Sequence, residues 1–408
     1  MEDVDRGRLR LPIALVAAVV VAEAAVLLLR PRDGVIAPAP VGVRSYFSEA
    51  QLDRARDFRR PQLALYGVAL LIQGGVLVAL VRRPPRALRR EWRRPLLAGA
   101  AAGAALSVSL TVATLPVDAV RRERARDVGL VTQSWGAWAG DVAKSSAIGA
   151  VLAGGGALIL LGLQRRFPRH WWAPAGATTV AVGAVFLYAG PVVLDPVFNR
   201  FDRLPDGRTR SDVLDLARRA DVKVGEVYVV DASRRTTAAN AYVAGLGPTK
   251  RVVLYDNLLE HFTRDELRLV VAHELAHVHY RDVPNGLLYL ALVAPLGLLA
   301  VQRLSERLAP GRAGAAGVLP AAALSLGLVA GTIGVVSNQL SRRVEARADS
   351  YALKLTEAPR PFIGFERRIA LRNVADPDPP GWREFVLSTH PPTIERIGIG
   401  VAYERGAR

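Results

Sequence analysis

The chain has 408 residues, no Cys and a formal charge of +17, from 54 Lys and Arg against 37 Asp and Glu. The absence of Cys excludes disulfides, thiolate metal sites and Cys nucleophiles, so any metal must be held by His and carboxylates. Long apolar runs alternate with short Arg-rich loops, which excludes an ordinary soluble multidomain protein and makes lipid the dominant solvent. Nucleic acid is not an expected partner, because no basic stripe lies beside a folded reading module.

Seven apolar segments each contain close to the ~20 residues that a helix needs to cross about 30 Å of hydrocarbon. Several are rich in Gly and Ala, which allow helices to pack closely in lipid. They predict an all-α polytopic membrane protein, expected in the cell membrane, whose loop Arg residues contact anionic lipid headgroups. The predicted transmembrane helices are 11–29, 63–81, 96–116, 145–163, 173–194, 286–304 and 313–336.

The first of these segments has two interpretations. Arg residues precede it, as in the basic region of a cleaved signal peptide. Its apolar run continues past Glu23 to Leu29, however, which favours an uncleaved span. Glu23 then lies at membrane depth, where a carboxylate usually faces the bundle interior or a cavity; alternatively, it marks a slightly displaced helix end.

Two longer polar regions lie between the fifth and sixth spans and after the seventh. The first predicts a helix near Arg210–Ala220 and three short strands rich in Val and Tyr, at Glu226–Asp231, Asn240–Gly245 and Arg251–Asp256. The chain therefore divides into four parts. Residues 1–194 contain five membrane helices, and residues 195–285 form a catalytic region with the HExxH helix. Residues 286–336 contain membrane helices six and seven, and residues 337–408 form a C-terminal catalytic segment.

The first polar region ends in a helix that carries a metal-binding motif. Thr263 and Glu266 form a capping box that predicts the helix start. His273 and His277 lie four residues apart on one helical face, so both imidazoles can reach one ion. Glu274 follows the first His and can act as a base on a water bound to that ion. This HExxH motif indicates a zinc metalloprotease, against the alternative of a helix with two ordinary His residues.

A catalytic zinc needs a third protein ligand and an open position. After the seventh span, Glu345 and Asp349 lie four residues apart on one helical face. We predict that Glu345 binds one Zn²⁺ per chain and that Asp349 accepts an N–H from a ligand imidazole. The alternative is a solvated face of alternating Arg and acidic residues. Two spans separate Glu345 from the motif, so both segments lie on the same side of the membrane and can meet.

These segments and several others resemble the type I CAAX prenyl proteases. The resemblance covers most of the chain and implies a membrane-embedded zinc protease with seven helices around a large chamber, joined to a small α+β metalloprotease domain of the gluzincin type. The segments similar to the family are SYFSEAQLDRARDFRR at Ser45–Arg60, PVFNRF at Pro196–Phe201, HELAH at His273–His277, SRRVEARAD at Ser341–Asp349 and STHPPTIERI at Ser388–Ile397.

The resemblance also implies roles for residues outside the metal motif. His390 and Arg396 would line the active site and stabilise the oxyanion or hold the substrate carbonyl. Asn240, Ala241 and Tyr242 would hold an extended peptide by β-augmentation, and a plain edge strand is the alternative.

The expected function is therefore a membrane-embedded zinc metalloendopeptidase, with a peptide or protein substrate that is lipid-modified or membrane-associated. Ala276 stands where the family usually has Gly, a conservative departure, and prenyl processing is implied by the resemblance alone. The alternative enzyme is a membrane quality-control protease of the heat-shock HExxH type. Alternatives of another class are a transporter and a non-catalytic scaffold with a structural zinc, which would need a fourth protein ligand.

Overall fold

The structure, a computed structural model, describes residues 2–245 and 250–406 of the chain. Seven helices in these ranges are long and apolar enough to cross a membrane, which confirms the predicted polytopic architecture. The helices in chain order are α1 (Glu2–Leu29), α2 (Glu49–Arg82), α3 (Arg86–Arg89), α4 (Pro95–Asp127), α5 (Trp135–Arg166), α6 (Trp172–Val193), α7 (Asp195–Phe198), α8 (Arg208–Arg219), α9 (Asp256–His261), α10 (Arg264–His279), α11 (Asp282–Leu308), α12 (Leu319–Thr356), α13 (Pro359–Arg372), α14 (Gly381–Leu387) and α15 (Thr393–Gly406). The spans are α1, α2, α4, α5, α6, α11 and α12.

Two of the membrane helices continue well beyond their apolar segments. Ser48 caps α2 in a capping box with Gln51, so this helix begins about four turns before its predicted span. The last span, α12, runs without a break to Thr356, and its polar second half carries Glu345 as a rigid extension. The predicted boundaries between membrane and catalytic regions, at 285 and 336, therefore lie inside α11 and α12. Hydropathy marks only the part of a helix that contacts lipid.

The first polar region forms a four-stranded sheet from β1 (Phe201–Arg203), β2 (Glu226–Val230), β3 (Ala241–Ala244) and β4 (Arg251–Tyr255). The strand order is β1-β2-β4-β3, with β2 and β4 parallel and the two outer pairs antiparallel. The three predicted strands are confirmed. The strand β1 was not predicted, because three residues of sequence FDR carry too little apolar pattern. Within the described ranges β3 pairs with β4 alone, so it is an edge strand.

The helix α10 packs its apolar face against this sheet. Val271 and Leu275 are fully buried and join Val252 and Leu254 of β4 in one hydrophobic core. Burial of a large aliphatic side chain contributes roughly 1.5–3 kcal/mol, so this face fixes the rotation of α10 about its axis. The opposite face of α10 is thereby directed towards α12.

Both ends of α10 are defined by local structure. The backbone N–H of Thr263 donates to Glu266 Oε2 at 2.8 Å, and the Thr263 hydroxyl accepts from the Glu266 N–H at 3.4 Å, which confirms the predicted capping box. At the other end, Arg281 adopts the left-handed conformation with φ of 56°. The helix α11 begins at the next residue, so Asp282 lies beside the last turn of α10.

The spans α4 and α5 approach each other closely at small residues. A Cβ atom added to Gly103 of α4 would lie 2.6 Å from the Cβ of Ala157 and 2.7 Å from the carbonyl oxygen of Ala153 on α5. Both distances are below van der Waals contact, so only Gly fits at this crossing. Small residues allow this kind of packing between helices in lipid, where no hydrophobic driving force pulls the helices together.

We expect Gly103→Ala to lower the free energy of unfolding by about 1–3 kcal/mol, the usual cost of overpacking. Gly155→Ala is the matched control, because a Cβ at Gly155 meets no atom within 4 Å and Ala is the better helix former. Melting temperatures of the purified proteins in one detergent would compare the two. Equal melting temperatures for the two variants would contradict the close approach of α4 and α5.

Candidate metal centre

The structure brings the three predicted metal ligands together between α10 and α12. The Nε2 atoms of His273 and His277 lie 3.3 Å apart. Glu345 Oε2 lies 3.2 Å from His273 Nε2, and its Oε1 lies 3.8 Å from His277 Nε2. Among the described residues, this is the one group of three or more His, Cys, Asp or Glu side chains whose potential ligand atoms converge in this way.

These separations suit a tetrahedral zinc. Ligand atoms that bind one zinc at about 2.0–2.1 Å in a tetrahedral arrangement lie about 3.3 Å from one another. Glu345 Oε2 is buried and accepts no hydrogen bond from the described residues, although His273 Nε2 is close. A buried carboxylate oxygen without a donor is costly unless a cation satisfies it. Two imidazoles and one carboxylate are a donor set that zinc accepts, with room for a fourth ligand.

Each ligand imidazole is held through its other nitrogen by a carboxylate. His273 Nδ1 lies 2.9 Å from Asp349 Oδ1, and His277 Nδ1 lies 3.0 Å from Asp282 Oδ2. An Nδ1–H that donates to a carboxylate leaves the Nε2 lone pair free for the metal and increases its basicity. Burial by itself would lower the pKa of His273, but the carboxylates of Asp349 and Glu345 raise this pKa well above its usual range. The pocket therefore stabilises positive charge at the imidazole.

Each of these carboxylates is in turn paired with an arginine. Arg347 donates to Asp282 at 2.5 Å, and Arg396 donates to both oxygens of Asp349 at 2.7 and 2.5 Å. Arg396 also lies 3.0 Å from Glu366, which is 1% exposed. An isolated buried charge costs several kcal/mol, so these chains of alternating charge hold the two imidazoles at a tolerable electrostatic cost.

Asp282 and Arg347 were not predicted from the sequence to act at this site. Asp282 follows the second motif His by five residues and belongs to the next helix, so helical spacing does not place it on the metal face. Arg347 lies within the segment that carries Glu345, where alternating Arg and acid has an ordinary solvated interpretation. A search for acidic residues at the start of the following helix would have found Asp282.

Glu274, the predicted base, is only partly exposed and has no hydrogen-bond or ion-pair partner among the described residues. Burial raises the pKa of its carboxyl group, while the neighbouring imidazoles oppose this shift. Glu274 follows the first predicted ligand, His273, and no described residue competes for its carboxylate, which is therefore available to a water molecule. This is the arrangement that a general base requires.

His390 and Arg396 occupy different surroundings. His390 Nε2 lies 3.2 Å from Glu345 Oε2, and its side chain is 58% exposed, so it borders the metal ligands on the open side. The Arg396 guanidinium is 16% exposed and is directed at Asp349 and Glu366 rather than at the ligand atoms. His390 therefore lies directly beside the predicted ligand Glu345, whereas Arg396 is connected to His273 only through Asp349.

The predicted substrate-binding segment lies on the edge strand β3. The carbonyl oxygen of Asn240 accepts from the N–H of Tyr255 on β4 at 3.0 Å. Because bonded pairs alternate along an antiparallel ladder, the backbone groups of Ala241 and Val243 point away from β4, towards the free edge. The Tyr242 hydroxyl donates to Asp195 at 2.8 Å, which ties the strand to α7, and burial raises the pKa of this tyrosine.

The same edge is closed a few residues upstream. The N–H of Thr237 donates to the carbonyl of Leu130, and the N–H of Thr132 donates to the carbonyl of Arg235, both at 3.1 Å. Arg372 Nε donates to the carbonyl of Thr237 at 2.8 Å. The loop between α4 and α5 thus pairs with the extension of β3. Among the described residues, the outward-facing backbone groups at 239, 241 and 243 have no hydrogen-bond partner, whereas those at 235 and 237 are occupied.

Comparisons with known proteins agree with this geometry. Residues 203–398 match the model of peptidase family M48, a range that includes the HExxH helix, Glu345 and His390. The metalloprotease YhfN of Bacillus subtilis, described as uncharacterized, is 30% identical over 301 residues, which are 72% of this chain and 70% of that protein. CAAX prenyl protease 1 of Saccharomyces cerevisiae is 30% identical over 155 residues, 37% of this chain and 34% of the yeast protein.

The fold has a close counterpart among solved structures. The crystal structure of S. mikatae Ste24p superimposes with a TM-score of 0.77 over 97% of this chain and 99% of that chain, at 19% sequence identity. The shared fold therefore includes the seven spans and the polar regions together. Family M48 implies a metal-dependent peptidase and a peptide or protein substrate. The chain is an integral membrane metalloprotease and belongs to the type I CAAX prenyl protease family.

Proposed function

We propose that the protein hydrolyses peptide bonds with one zinc ion per chain, held by His273, His277 and Glu345. The observation that carries this proposal is the short distance between their nitrogen and oxygen atoms, which lie 3.2, 3.3 and 3.8 Å apart. Two packed helices, α10 and α12, hold these atoms in place. When bound, the ion would polarise the substrate carbonyl and lower the pKa of a coordinated water towards about 7.

In this proposal Glu274 is the general base. Its carboxylate takes the proton from the attacking water and then delivers it to the leaving amine. The absence of a hydrogen-bonding partner supports this role, because a base that is already engaged would have to break a bond first. Asp349 and Asp282 keep both imidazoles in the tautomer that presents Nε2 to the ion.

His390 is proposed to contact the substrate carbonyl as negative charge develops on its oxygen. Its exposed position beside Glu345 supports that role. The surroundings of Arg396 favour a positioning role instead of direct contact, because its donors are engaged by Asp349 and Glu366. Arg396 would then hold Asp349, and Asp349 would hold His273.

The open edge of β3 is proposed to bind the substrate as an added strand. An extended peptide would pair with the backbone of Ala241 and Val243, the groups that β4 leaves free. The pairing of the α4–α5 loop with Thr237 supports a boundary for the peptide at that end. Backbone pairing places few demands on side chains, so specificity would come from the pockets around this strand.

The substrate is proposed to be a peptide or protein that is membrane-associated, with a lipid-modified C-terminus as the specific candidate, and the cell membrane is the proposed location. CAAX prenyl protease 1 relatives support this substrate class, and the seven spans bring the site close to the bilayer. A radiolabelled or fluorescent prenylated peptide compared with its unprenylated form would test the lipid requirement.

We expect Glu274→Gln to keep the zinc and to lower kcat by about 10²–10⁴-fold, because it removes the proton acceptor but keeps the shape of the side chain. Zinc content by atomic spectroscopy and hydrolysis of a fluorogenic peptide would measure the two effects. Glu260→Gln, an exposed carboxyl group on α9, is the control. Unchanged turnover in the Glu274 variant would overturn its assignment as the base.

Asp282→Ala should weaken zinc affinity by roughly 10–100-fold, because His277 loses the acceptor of its Nδ1–H. Competition with a fluorescent chelator would give the affinity, and excess zinc should restore much of the activity. Asp215→Ala removes a half-exposed carboxylate on α8 whose one ion pair in the described part of the chain is with Arg218, and it should leave the affinity unchanged. Equal zinc affinities for the two variants would refute the proposed role of Asp282.

Substrate peptides that are N-methylated at single backbone positions should show a period of two. Methylation at residues whose N–H pairs with β3 should raise KM roughly threefold to tenfold, the value of one hydrogen bond, whereas methylation at the intervening residues should have little effect. Steady-state kinetics on such a peptide series would measure the pattern, and a smooth dependence on position would argue against β-augmentation.

A further inference from the structure

The loop that joins α2 to α4 carries an unusual density of positive charge. Residues 82–94 contain seven Arg and one carboxylate, Glu91. Three spans, α4, α5 and α6, lie between this loop and the HExxH helix. An odd number of crossings places the loop at the end of the bundle opposite the metal centre. Metal ligation and peptide binding therefore make no use of it.

These arginines lack carboxylate partners within the described part of the chain. None of the seven forms an ion pair there, although Arg89 donates to the carbonyl of Pro84 and Arg90 stacks over the Trp92 ring at 5.0 Å. At the catalytic end, by contrast, Arg44, Arg56 and Arg126 each pair with an acidic residue. The charge of the 82–94 loop is thus uncompensated by the protein, which points to an external anion.

The loop forms one wall of a cavity of about 710 Å³. Arg89 and Arg90 line it on one side, Arg165 at the end of α5 lines it on another, and the Gly- and Ala-rich segment 311–317 closes it. Gly317 permits this close packing, because a Cβ there would lie 2.8 Å from the carbonyl oxygen of Leu88. The result is a recess lined by guanidinium groups that lies at the level where the spans end.

An apolar groove continues from this cavity along the membrane surface of α4. It has a volume of about 850 Å³ and shares Leu88, Arg90, Glu91 and Trp92 with the cavity. Its floor is formed by small residues of α4, including Ala101 and Ala105, and it extends from Leu97 to Ser109. These thirteen residues of helix span about 20 Å, the scale of an acyl chain rather than of a headgroup.

We propose that the cavity and groove together bind one anionic glycerophospholipid, with an acyl chain along α4. Its phosphate would lie where the cavity meets the groove, at Arg90, which lines both, and beside Arg93 and Arg94, which line the groove. Guanidinium groups bind phosphate with paired hydrogen bonds, and basic residues at the end of a span attract anionic lipid. The apolar part of the groove distinguishes this ligand from free phosphate, which would need only the arginines. The indole of Trp92, with its N–H donated to the carbonyl of Ala87, lies at headgroup level as interfacial Trp residues do.

Native mass spectrometry of the full-length protein in detergent would test this site. With equimolar dioleoylphosphatidylglycerol and dioleoylphosphatidylcholine, the protein should retain phosphatidylglycerol with a preference of at least about tenfold. The triple variant Arg90→Ala, Arg93→Ala, Arg94→Ala should lose that preference. The variant Arg44→Ala, Arg56→Ala, Arg126→Ala removes the same charge at the catalytic end and should keep it.

A second pair of variants tests the groove without a change of charge. Ala101→Leu with Ala105→Leu should fill the groove and reduce lipid retention, whereas Ala177→Leu with Ala181→Leu adds the same bulk to exposed positions of α6 and should not. Equal retention of the two lipids by the unmodified protein, or equal losses in both arginine triples, would overturn the proposal. Displacement of the lipid by millimolar inorganic phosphate, together with no effect of filling the groove, would instead identify a phosphate site and would equally overturn it.

Discussion

The structure depends on the geometry with which α10 and α12 cross. Two imidazoles one turn apart on α10 face a carboxylate on α12, and none of the three can be moved without exposing or stranding a buried charge. The free energy of placing charged groups in this interior would be prohibitive for isolated residues. It becomes acceptable because each imidazole is followed by a carboxylate and then by an arginine, so that charges of opposite sign alternate through the interior.

This constraint joins the membrane region to the soluble part of the protein. The helix that carries Glu345 is the continuation of the last span, and α11 begins three residues after α10 ends. The candidate metal centre is therefore connected directly to two of the spans. Any rotation of α12 about its axis would displace Glu345 and Asp349 together, since they lie on one helical face.

The sheet supports the site on its other side, and its edge is the surface proposed for substrate. The buried contacts of α10 with β4 set the orientation of the motif, and β3 remains at the edge with alternate backbone groups unpaired. An exposed edge invites uncontrolled pairing with other chains. Here its upstream part is covered by the α4–α5 loop, which leaves a short open stretch near α10.

Much of this was determined by the sequence alone, because helical periodicity and hydropathy are local properties. Seven apolar segments, the capping box at Thr263, and the spacing of His273 from His277 and of Glu345 from Asp349 each depend on residues within a few turns of one another. The tertiary structure decided the rest. Only the folded chain places Asp282 behind His277, directs Arg396 to Asp349 and Glu366, and pairs the α4–α5 loop with the edge of the sheet. These contacts join residues whose separation along the chain has no periodic signature, and burial of charge makes them energetically necessary only after the helices have packed.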